Sequence, residues 1–285
     1  MASPNFIANI AGGIKKRMTQ LMNNPYKEVN VSWWTLKYYK HLPARKLRKH
    51  LLFGRALFFI SAPELLHGLQ EIFIEKIYKQ ALPPNPYIID CGANIGMSII
   101  YLKSSFPDAE IVAFEPDETN FDLLRRNVDS FGYTHVELHK EAVWNENTML
   151  SFSNESSMGS KIELNSSAQS VEVKAIRLKE FLNKKVDFLK IDIEGAEYAV
   201  LKDIAGDLHR VQNMFLEYHG TFSQNGELGE IIKIIDEAGF NFYIKEAAPI
   251  YLTPFYRTKN PNTVYDVQLN LFCFRDITYR PARSV

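Results

Sequence analysis

Two apolar segments of the sequence are each followed by side chains that can accept a proton. The segments are VDFLKID at 186–192 and NMFLEY at 213–218. If both are strands of a parallel sheet, their carboxyl ends meet at the edge where ligands bind in α/β proteins. A carboxylate or an imidazole at that edge could take the proton of a substrate hydroxyl. The candidate catalytic residues there are Asp192, His219, Glu194 and Lys190.

The acids and the histidine of this edge leave several interpretations open. His219 has the intrinsic pKa of a general base, and the competing interpretation is a buried histidine satisfied by its neighbours. If a helix begins at Gly195, Glu194 and Glu197 lie near one face of it. So many acids, with Glu217 added, favour a raised pKa on one of them or a cationic partner. A divalent metal is one such cation, but a metal site needs converging oxygens that spacing does not establish, so we expect a metal-free site.

The segment YIIDCGANIGMS at 87–98 predicts a strand that ends in Asp90 and then turns sharply. Gly92 and Gly96 flank Asn94, and glycine permits a tight turn and a close approach of the backbone to a ligand. The spacing Gly-x-Asn-x-Gly differs from the dinucleotide fingerprint Gly-x-Gly-x-x-Gly. The turn therefore indicates a ligand other than NAD, although it is a weak signal by itself.

Glu115 ends the next predicted strand, EIVAF at 110–114, and lies 23 residues after Gly92. In nucleoside-binding α/β folds, an acid near this separation meets the ribose hydroxyls. A carboxylate can accept both hydrogen bonds of a vicinal diol. The competing interpretation is an acid that stabilises a helix N-terminus. Glu115 and the glycine turn together predict a nucleoside site much more strongly than either does alone.

Four segments resemble the FkbM-type family of S-adenosylmethionine-dependent methyltransferases: DCGANIG (90–96), FEPD (114–117), FLKIDIEGAEYAVL (188–201) and LEYHG (216–220). The resemblance covers roughly residues 60–275. It implies an α/β, Rossmann-like class I methyltransferase fold with a seven-stranded, mostly parallel sheet whose last strand is antiparallel. A helical N-terminal extension would precede this fold.

The resemblance implies S-adenosylmethionine as the cofactor and S-adenosylhomocysteine as its product. Because this cofactor has no phosphates, we expect the N–H groups of the 92–96 turn to meet its carboxylate, as a helix start favours an anion. Asp90 would hold its amino end or fix the turn. Glu141 and Ala142 would line the adenine, or be ordinary loop residues. The predicted cofactor-binding residues are Asp90, Gly92, Ala93, Asn94, Gly96, Glu115, Pro116, Asn120, Glu141, Ala142 and Asp192.

The function implied by the resemblance is O-methylation of a sugar hydroxyl in a glycan or a lipid-linked saccharide, in polysaccharide biosynthesis. The predicted strand at 186–192 leads into Asp-Ile-Glu at 192–194, which suits a hydroxyl better than an exocyclic amine. The alternatives are O-methylation of a secondary metabolite, methylation of RNA, and a catalytically silent binding module. An oligomer is compatible with each of these.

Composition divides the chain into two parts. Residues 1–83 are predicted to form a helical, basic and aromatic extension, and residues 84–285 the S-adenosylmethionine-binding domain, with a hairpin inserted at 148–178. Residues 1–60 hold 11 Lys or Arg and one acid, although the net charge of the chain is zero. This basic N-terminal segment could contact a membrane, a phosphate-bearing carrier or nucleic acid, or it could be a solvated face. The Ser/Asn-rich stretch at 151–170 could bind a polyhydroxylated acceptor, form a lid, or be a surface loop.

The cellular location is inferred from cysteines and hydropathy. Cys91 and Cys273 lie in apolar segments without metal-ligand spacing, which favours a reducing compartment. No apolar run reaches the length of a membrane span, and the first charges follow the first apolar residues instead of preceding them. We therefore expect a cytoplasmic protein.

Overall fold

The computed structural model describes residues 24–43, 45–153, 170–259 and 264–275. These residues form two compact units. One contains the described residues up to Lys79 together with Asp129–Phe131, and the other contains the remaining described residues from Gln80 onward. The predicted division after residue 83 stays a prediction.

The first unit combines helices with a β-hairpin. Its elements are a 3-10 helix at Pro25–Lys27, α1 (Trp33–Lys40), β1 (Arg48–Leu52), β2 (Arg55–Phe59), α2 (Ala62–Gly68) and a π-helical continuation at Leu69–Ile74. Ser32 caps α1, because its side chain accepts a hydrogen bond from the Thr35 N–H. The helices occur where the sequence predicted helical structure.

The helical prediction for residues 1–83 is wrong at 48–59, where β1 and β2 pair antiparallel. His50 and Leu52 are buried, whereas the residues between and beside them are not, which is the period-two alternation of a half-buried strand. Phe53 and Gly54 both have positive φ, at 49° and 78°, as a tight hairpin turn requires. The Phe-Gly dipeptide was the local signal for this turn.

The second unit is built on a large sheet. Its strands are β3 (Tyr87–Cys91), β4 (Glu110–Phe114), β5 (Val136–His139), β6 (Ala142–Trp144), β7 (Thr148–Ser153), β8 (Ser170–Arg177), β9 (Val186–Ile191), β10 (Val211–Gly220), β11 (Asn241–Glu246), β12 (Tyr251–Thr253), β13 (Thr258–Lys259) and β14 (Val267–Phe274). Its helices are α3 (Met97–Ser105), α4 (Glu118–Phe131, whose last three residues belong to the first unit), α5 (Glu197–Ile204) and α6 (Asn225–Glu237), with 3-10 turns at Leu178–Phe181, Ala205–Arg210, Phe222–Gln224 and Pro254–Tyr256.

Seven strands form the main sheet in the order β11-β14-β10-β9-β3-β4-β5. The pairs from β10 through β5 are parallel, whereas β14 runs antiparallel to both β10 and β11. All residues of β3 and β9 are buried, as expected for central strands covered on both faces. The predicted class I methyltransferase sheet, mostly parallel with an antiparallel last strand, is confirmed.

A smaller sheet has the order β6-β8-β7. β7 pairs antiparallel with β8, and β6 pairs parallel with it. Strands β7 and β8 lie in the stretch where a hairpin was predicted at 148–178, whereas β6 precedes it. Most of the Ser/Asn-rich stretch between them lies outside the described residues.

The described residues contain two buried free cysteines, Cys91 and Cys273. Both belong to strands of the main sheet, and burial raises the pKa of both thiols. Among the helices that the structure describes, none is both long and apolar enough to cross a membrane.

Candidate active site

The loops that follow β3 and β9 touch at the level of their backbones. The Asp192 N–H donates to the Cys91 carbonyl over 3.1 Å. Gly92 has φ of +84°, and a Cβ at this position would collide with the carbonyl oxygen of Asp192. Only glycine tolerates both the left-handed backbone and the lack of space for a Cβ. The close approach of the loop after β9 therefore requires a glycine directly after β3.

The Lys190 side chain contacts the end of β3 and residues in both loops. Its ammonium group lies 3.3 Å from Asp90 Oδ1 and 3.2 Å from Asp192 Oδ2, and it donates to the Gly92 carbonyl over 2.7 Å. The Lys190 side chain is only 4% exposed, so these groups compensate a charge that is removed from water. The arrangement gives Lys190 a positioning role, and its catalytic role stays a prediction.

Asp90 is completely buried at the end of β3. The Ser98 hydroxyl donates to Asp90 Oδ2 over 2.5 Å, and Lys190 faces the other oxygen. The sequence left open whether Asp90 holds the amino end of the cofactor or fixes the turn. Its two protein partners favour the second role.

The five backbone N–H groups of the 92–96 turn already have acceptors within the protein. Those of Gly92 and Ala93 donate to the Phe114 carbonyl, and that of Gly96 donates to Ala93. The remaining two, of Asn94 and Ile95, donate to Glu115 and to the Asn94 side chain. In this structure these N–H groups stabilise the turn itself, and the expectation that they receive the cofactor carboxylate stays a prediction.

Glu115 lies beyond the end of β4 and is 6% exposed. Its Oε2 accepts the Asn94 N–H over 2.8 Å, and its Oε1 accepts the Asp117 N–H over 3.0 Å. Burial raises the pKa of Glu115 to about 8, against the lowering effect of these two hydrogen bonds. Each oxygen keeps one further acceptor position, so the carboxylate can receive two more donors.

The other predicted cofactor residues lie on the same side of the sheet with different surroundings. Pro116 follows Glu115, and the Asn120 N–H is capped by Asp117 in the first turn of α4. Glu141 pairs with Lys174 over 2.9 Å, whereas the Ala142 side chain packs in the small apolar cluster of the second sheet. Only the backbone of Ala142 is therefore left for an adenine edge, and these assignments stay predictions.

The loop after β9 differs from the expected one. The helix α5 begins at Glu197 and not at Gly195, and Glu194 has φ of 53° in the left-handed region. Glu194 and Glu197 therefore do not share a helix face. Both oxygens of Glu197 lie within 3.0 Å of the Gly195 nitrogen, so its side chain turns back and caps its own loop.

His219 lies near the end of β10 between two carboxylates. Its Nδ1 is 3.1 Å from Glu197 Oε1, and its Nε2 is 3.3 Å from Glu217 Oε1. Burial acts to lower the pKa of His219, but the hydrogen bonds and charges of Glu197 and Glu217 outweigh it and hold the pKa well above its usual value. The histidine is thus satisfied by its neighbours, as one interpretation predicted. Glu197, His219, Glu217 and the nearby Asp192 together are called the acid–base cluster.

Asp192 and Glu217 connect this cluster to solvent. Their side chains are 29% and 17% exposed, whereas His219 is 5% exposed. Burial, with a further contribution from Asp192, raises the pKa of Glu217. The structure therefore brings together two of the four predicted catalytic residues, Asp192 and His219, with Glu217 of β10. A third, Lys190, contacts Asp192.

Glu194 is held at the border of the cluster by Tyr265. The Tyr265 hydroxyl donates to the Glu194 carbonyl over 2.9 Å, and its ring centroid lies 4.9 Å from that of His219. Burial and the neighbouring carboxylates raise the pKa of Glu194 to about 7, although the charge of His219 opposes this. A proton can therefore also be stored on Glu194 near neutral pH.

Three supporting residues were missed by the sequence analysis. Ser98 bonds Asp90, buried Asn127 donates to the Ile95 carbonyl over 2.8 Å, and Tyr265 packs on His219. Asn127 and Tyr265 lie far along the chain from the residues they support. Ser98 had a local signal, because it follows the turn in the first helical residues, where it faces the preceding strand.

A divalent cation is the alternative occupant of the acid–base cluster. One ligand atom each from Asp192, Glu217 and His219 lies within 4.8 Å of the others. Two carboxylates and an imidazole are ligands that several divalent metals accept. The prediction of a metal-free site is not tested by this arrangement.

The donor and acceptor groups of the β3–β4 edge fit the cofactor that the resemblance implies. The ribose of S-adenosylmethionine offers two neighbouring hydroxyl donors, and Glu115 retains one acceptor position on each oxygen. The backbone at Gly92 leaves no side chain between this edge and Asp192. Glu115 would therefore hold the ribose, while the acid–base cluster lies beyond the neighbouring strand ends.

Comparison with known proteins agrees with this geometry. The family model described as "Methyltransferase FkbM domain" matches residues 90–242, more than half of the chain. "Methyltransferase 1" of Beauveria bassiana is 30% identical, over 50% of this chain and 67% of that protein. "31-O-demethyl-FK506 methyltransferase FkbM" of Streptomyces tacrolimicus is 23% identical, over 70% and 90%. "Hexuronic acid methyltransferase AglP" of Haloferax volcanii is 24% identical, over 61% and 70%.

The matched region begins at Asp90 and contains the glycine turn, Glu115 and the acid–base cluster. It also contains six of the seven strands of the main sheet in whole or in part, the exception being β14. Since both the site and most of the sheet fall within the match, the chain belongs to the FkbM methyltransferase family and is an S-adenosylmethionine-dependent methyltransferase.

Proposed function

We propose that this enzyme methylates a hydroxyl group, and that the hydroxyl belongs to a sugar in a glycan or a lipid-linked saccharide. The observation that carries the proposal is the line of side chains Glu197, His219 and Glu217, with Asp192 beside it. It lies at the carboxyl ends of β9 and β10, next to the turn that is braced by Lys190. These four side chains can accept a proton at the ligand-binding edge of the sheet.

S-adenosylmethionine, when bound, supplies a methyl group that is open to attack by a nucleophile. A neutral alcohol is a weak nucleophile, so the protein must position it and accept its proton. An acceptor of this kind explains why the chain places two partly exposed carboxylates and a histidine together.

His219 in its neutral form is the proposed base. Glu197 accepts the Nδ1–H hydrogen bond and thereby directs Nε2 toward Glu217 and Asp192. Because the flanking carboxylates stabilise the imidazolium, a proton that enters the cluster rests on His219. Asp192 is the most exposed member and is proposed to orient the acceptor by receiving a hydrogen bond from it.

Aromatic side chains beside the end of β10 support a sugar as the acceptor. The rings of Phe222 and Tyr251 stack with centroids 5.8 Å apart, and Phe255 and Tyr256 of the following turn are almost fully exposed. The apolar faces of sugar rings pack well on aromatic rings, while their hydroxyls bond polar groups at the rim. The name of the Haloferax relative, a hexuronic acid methyltransferase, points in the same direction.

A small-molecule hydroxyl is the second candidate, and its support is the name of the Streptomyces relative, which acts on 31-O-demethyl-FK506. The same acid–base cluster serves either acceptor, since both reactions remove a hydroxyl proton. The two candidates therefore differ only in the surface that holds the acceptor.

The experiment is transfer of labelled methyl groups from S-adenosylmethionine into glycans, lipid-linked saccharides, 31-O-demethyl-FK506 and RNA. We expect label in a saccharide, as an O-methyl group identified by NMR. Label in 31-O-demethyl-FK506 only would favour the small-molecule acceptor over the sugar, and label on nitrogen or in RNA would overturn the proposal.

Matched histidine variants locate the base. His219→Ala should lower turnover with little change in cofactor affinity, and exposed His209→Ala is the control. Full activity of His219→Ala would remove His219 as the base.

A further inference from the structure

The first unit exposes an unusual number of large apolar side chains. Six of them have 43 to 74% of their surface exposed: Trp33, Trp34, Tyr38, Leu47, Leu51 and Phe53. They belong to α1, to the approach to β1, and to the β1–β2 hairpin. We call this set the aromatic surface of the first unit.

The exposure of α1 is a consequence of how this unit packs. Tyr39 is buried, and its hydroxyl lies 3.0 Å from Nδ1 of His50. Trp34 and Tyr38 are four residues apart, so they are neighbours on a different face of the same helix. The core of the unit is therefore satisfied without them.

The hairpin shows the same division between its two faces. His50 and Leu52 point inward, and the His50 ring also bonds the Val29 carbonyl over 2.7 Å. Lys49 and Leu51 alternate with them and must point outward. The outward face of the hairpin thus carries both a cation and an aliphatic side chain.

The aromatic surface lies within a strongly basic stretch. From Trp33 to Arg55 the sequence has no acid and seven cationic residues: Lys37, Lys40, Arg45, Lys46, Arg48, Lys49 and Arg55. The Lys37 ammonium lies 3.8 Å from the centre of the Trp33 ring, so cations and aromatic rings are mixed on one helix. A complementary partner must be anionic and must also offer an apolar layer.

We propose that the aromatic surface binds the headgroup region of an anionic lipid bilayer. Tryptophan and tyrosine prefer the membrane interface, because one end of the ring is apolar and the other is polar. Lysine and arginine next to them are attracted to anionic headgroups. Leu51 is the observation that favours lipid over RNA, because an aliphatic side chain beside a hairpin turn can enter the acyl boundary but does not stack on bases.

This inference does not depend on the identity of the methyl acceptor. A bilayer-bound enzyme would meet lipid-linked acceptors at high local concentration, but a soluble acceptor would leave the surface and its partner unchanged. Vesicle binding is therefore measured without any acceptor.

The test is co-sedimentation of the full chain with vesicles of phosphatidylcholine alone or mixed with phosphatidylglycerol. We expect binding to the mixed vesicles and a blue shift of tryptophan emission, since two of the three tryptophans belong to the aromatic surface. Two double variants separate the aromatic from the ionic contribution to vesicle binding. One carries Trp34→Ser and Tyr38→Ser, and the other carries Lys46→Glu and Lys49→Glu. The lysine variant should weaken binding by more than about tenfold, because one cation near an anionic surface is worth about fivefold. The serine variant should also weaken binding, because it removes two rings that prefer the membrane interface.

Matched controls carry the same substitutions on the second unit, at Tyr243→Ser and Lys233→Glu. Tyr243 is 63% exposed against 62% for Tyr38, so the two serine variants change equally accessible rings. Unchanged circular dichroism and cofactor affinity would show that the variants fold.

Absence of binding to mixed vesicles would overturn the proposal. Loss in the lysine variant alone would also overturn it, because a purely ionic contact does not need the aromatic rings. RNA binding with a steep salt dependence and no vesicle binding would assign the surface to nucleic acid instead.

Discussion

Nδ1 of His219 lies 3.1 Å from Oε1 of Glu197, and both side chains are buried. Glu197 also accepts the Gly195 N–H, so one carboxylate fixes both the loop after β9 and the imidazole of β10. The proposed base is therefore oriented by a residue that is itself anchored to the ligand-binding loop. A pair of this kind fixes which ring nitrogen is basic.

Glu197→Gln should lower kcat at least about tenfold, because the imidazole loses its charged partner and its fixed orientation. The Glu197 charge raises the pKa of His219, so its removal lowers that pKa. The rising limb of the pH–rate profile should then move to lower pH, while the cofactor Kd stays within about twofold. The measurement is kcat and Kd from pH 6 to 10, with exposed Glu230→Gln as the control. A lower kcat with an unmoved limb would leave Glu197 a purely structural role.

The affinity for S-adenosylmethionine should rise with pH through the ionisation of Glu115. Burial raises the pKa of Glu115 to about 8, and only its ionised form accepts both ribose hydroxyls through two equivalent oxygens. The cofactor therefore selects the ionised form, and its Kd should fall by up to about tenfold per unit as pH rises toward 8. Isothermal titration at several pH values measures this dependence.

Glu115→Gln is the control for this pH dependence. The amino group of the cofactor also titrates near this pH, but it does so equally with both proteins. The difference between the two curves therefore belongs to Glu115. Parallel curves, or an unchanged affinity of Glu115→Ala with the fold intact, would refute the ribose assignment.

The main sheet could be predicted because its central strands are locally marked. The segment 110–114 was predicted at the residues where β4 lies, and the predicted segment 186–192 covers β9. Strand β10 was predicted at 213–218 but extends over Val211–Gly220, because its ends are stabilised by pairing with β14. Pairing with a strand far along the chain gives no signal in the local sequence of either strand.

The site was predictable in its residue types but not in its contacts. Lys190 was predicted as a site residue, yet only the register of β3 with β9 sets it beside Asp90. Tyr265 reaches His219 only because β14 returns antiparallel along β10. These partners depend on tertiary pairing, which a single sequence does not express.

Gly92→Ala should strongly destabilise the second unit and abolish cofactor binding. The left-handed backbone alone costs an alanine about 1–2 kcal/mol, and its Cβ would also collide with the Asp192 carbonyl. The control is Gly229→Ala, an exposed position in α6 where a Cβ meets no atom within 4 Å. This variant should gain about 0.5–1 kcal/mol, because alanine favours a helix. Urea unfolding measures both, and equal stability of the two variants would contradict the close approach of the loops.

Methyl transfer should survive exhaustive treatment with EDTA. A cationic partner of the site is already present in the chain, since the Lys190 ammonium lies 3.3 Å from Asp90 and 3.2 Å from Asp192. A divalent ion would have to displace the proton of His219, which its carboxylate neighbours stabilise. Activity is compared before and after chelation and after addition of Mg²⁺ or Mn²⁺. Activity that is lost with EDTA and restored by one ion would instead make Asp192, Glu217 and His219 its ligands, and His219→Ala should then weaken binding of that ion.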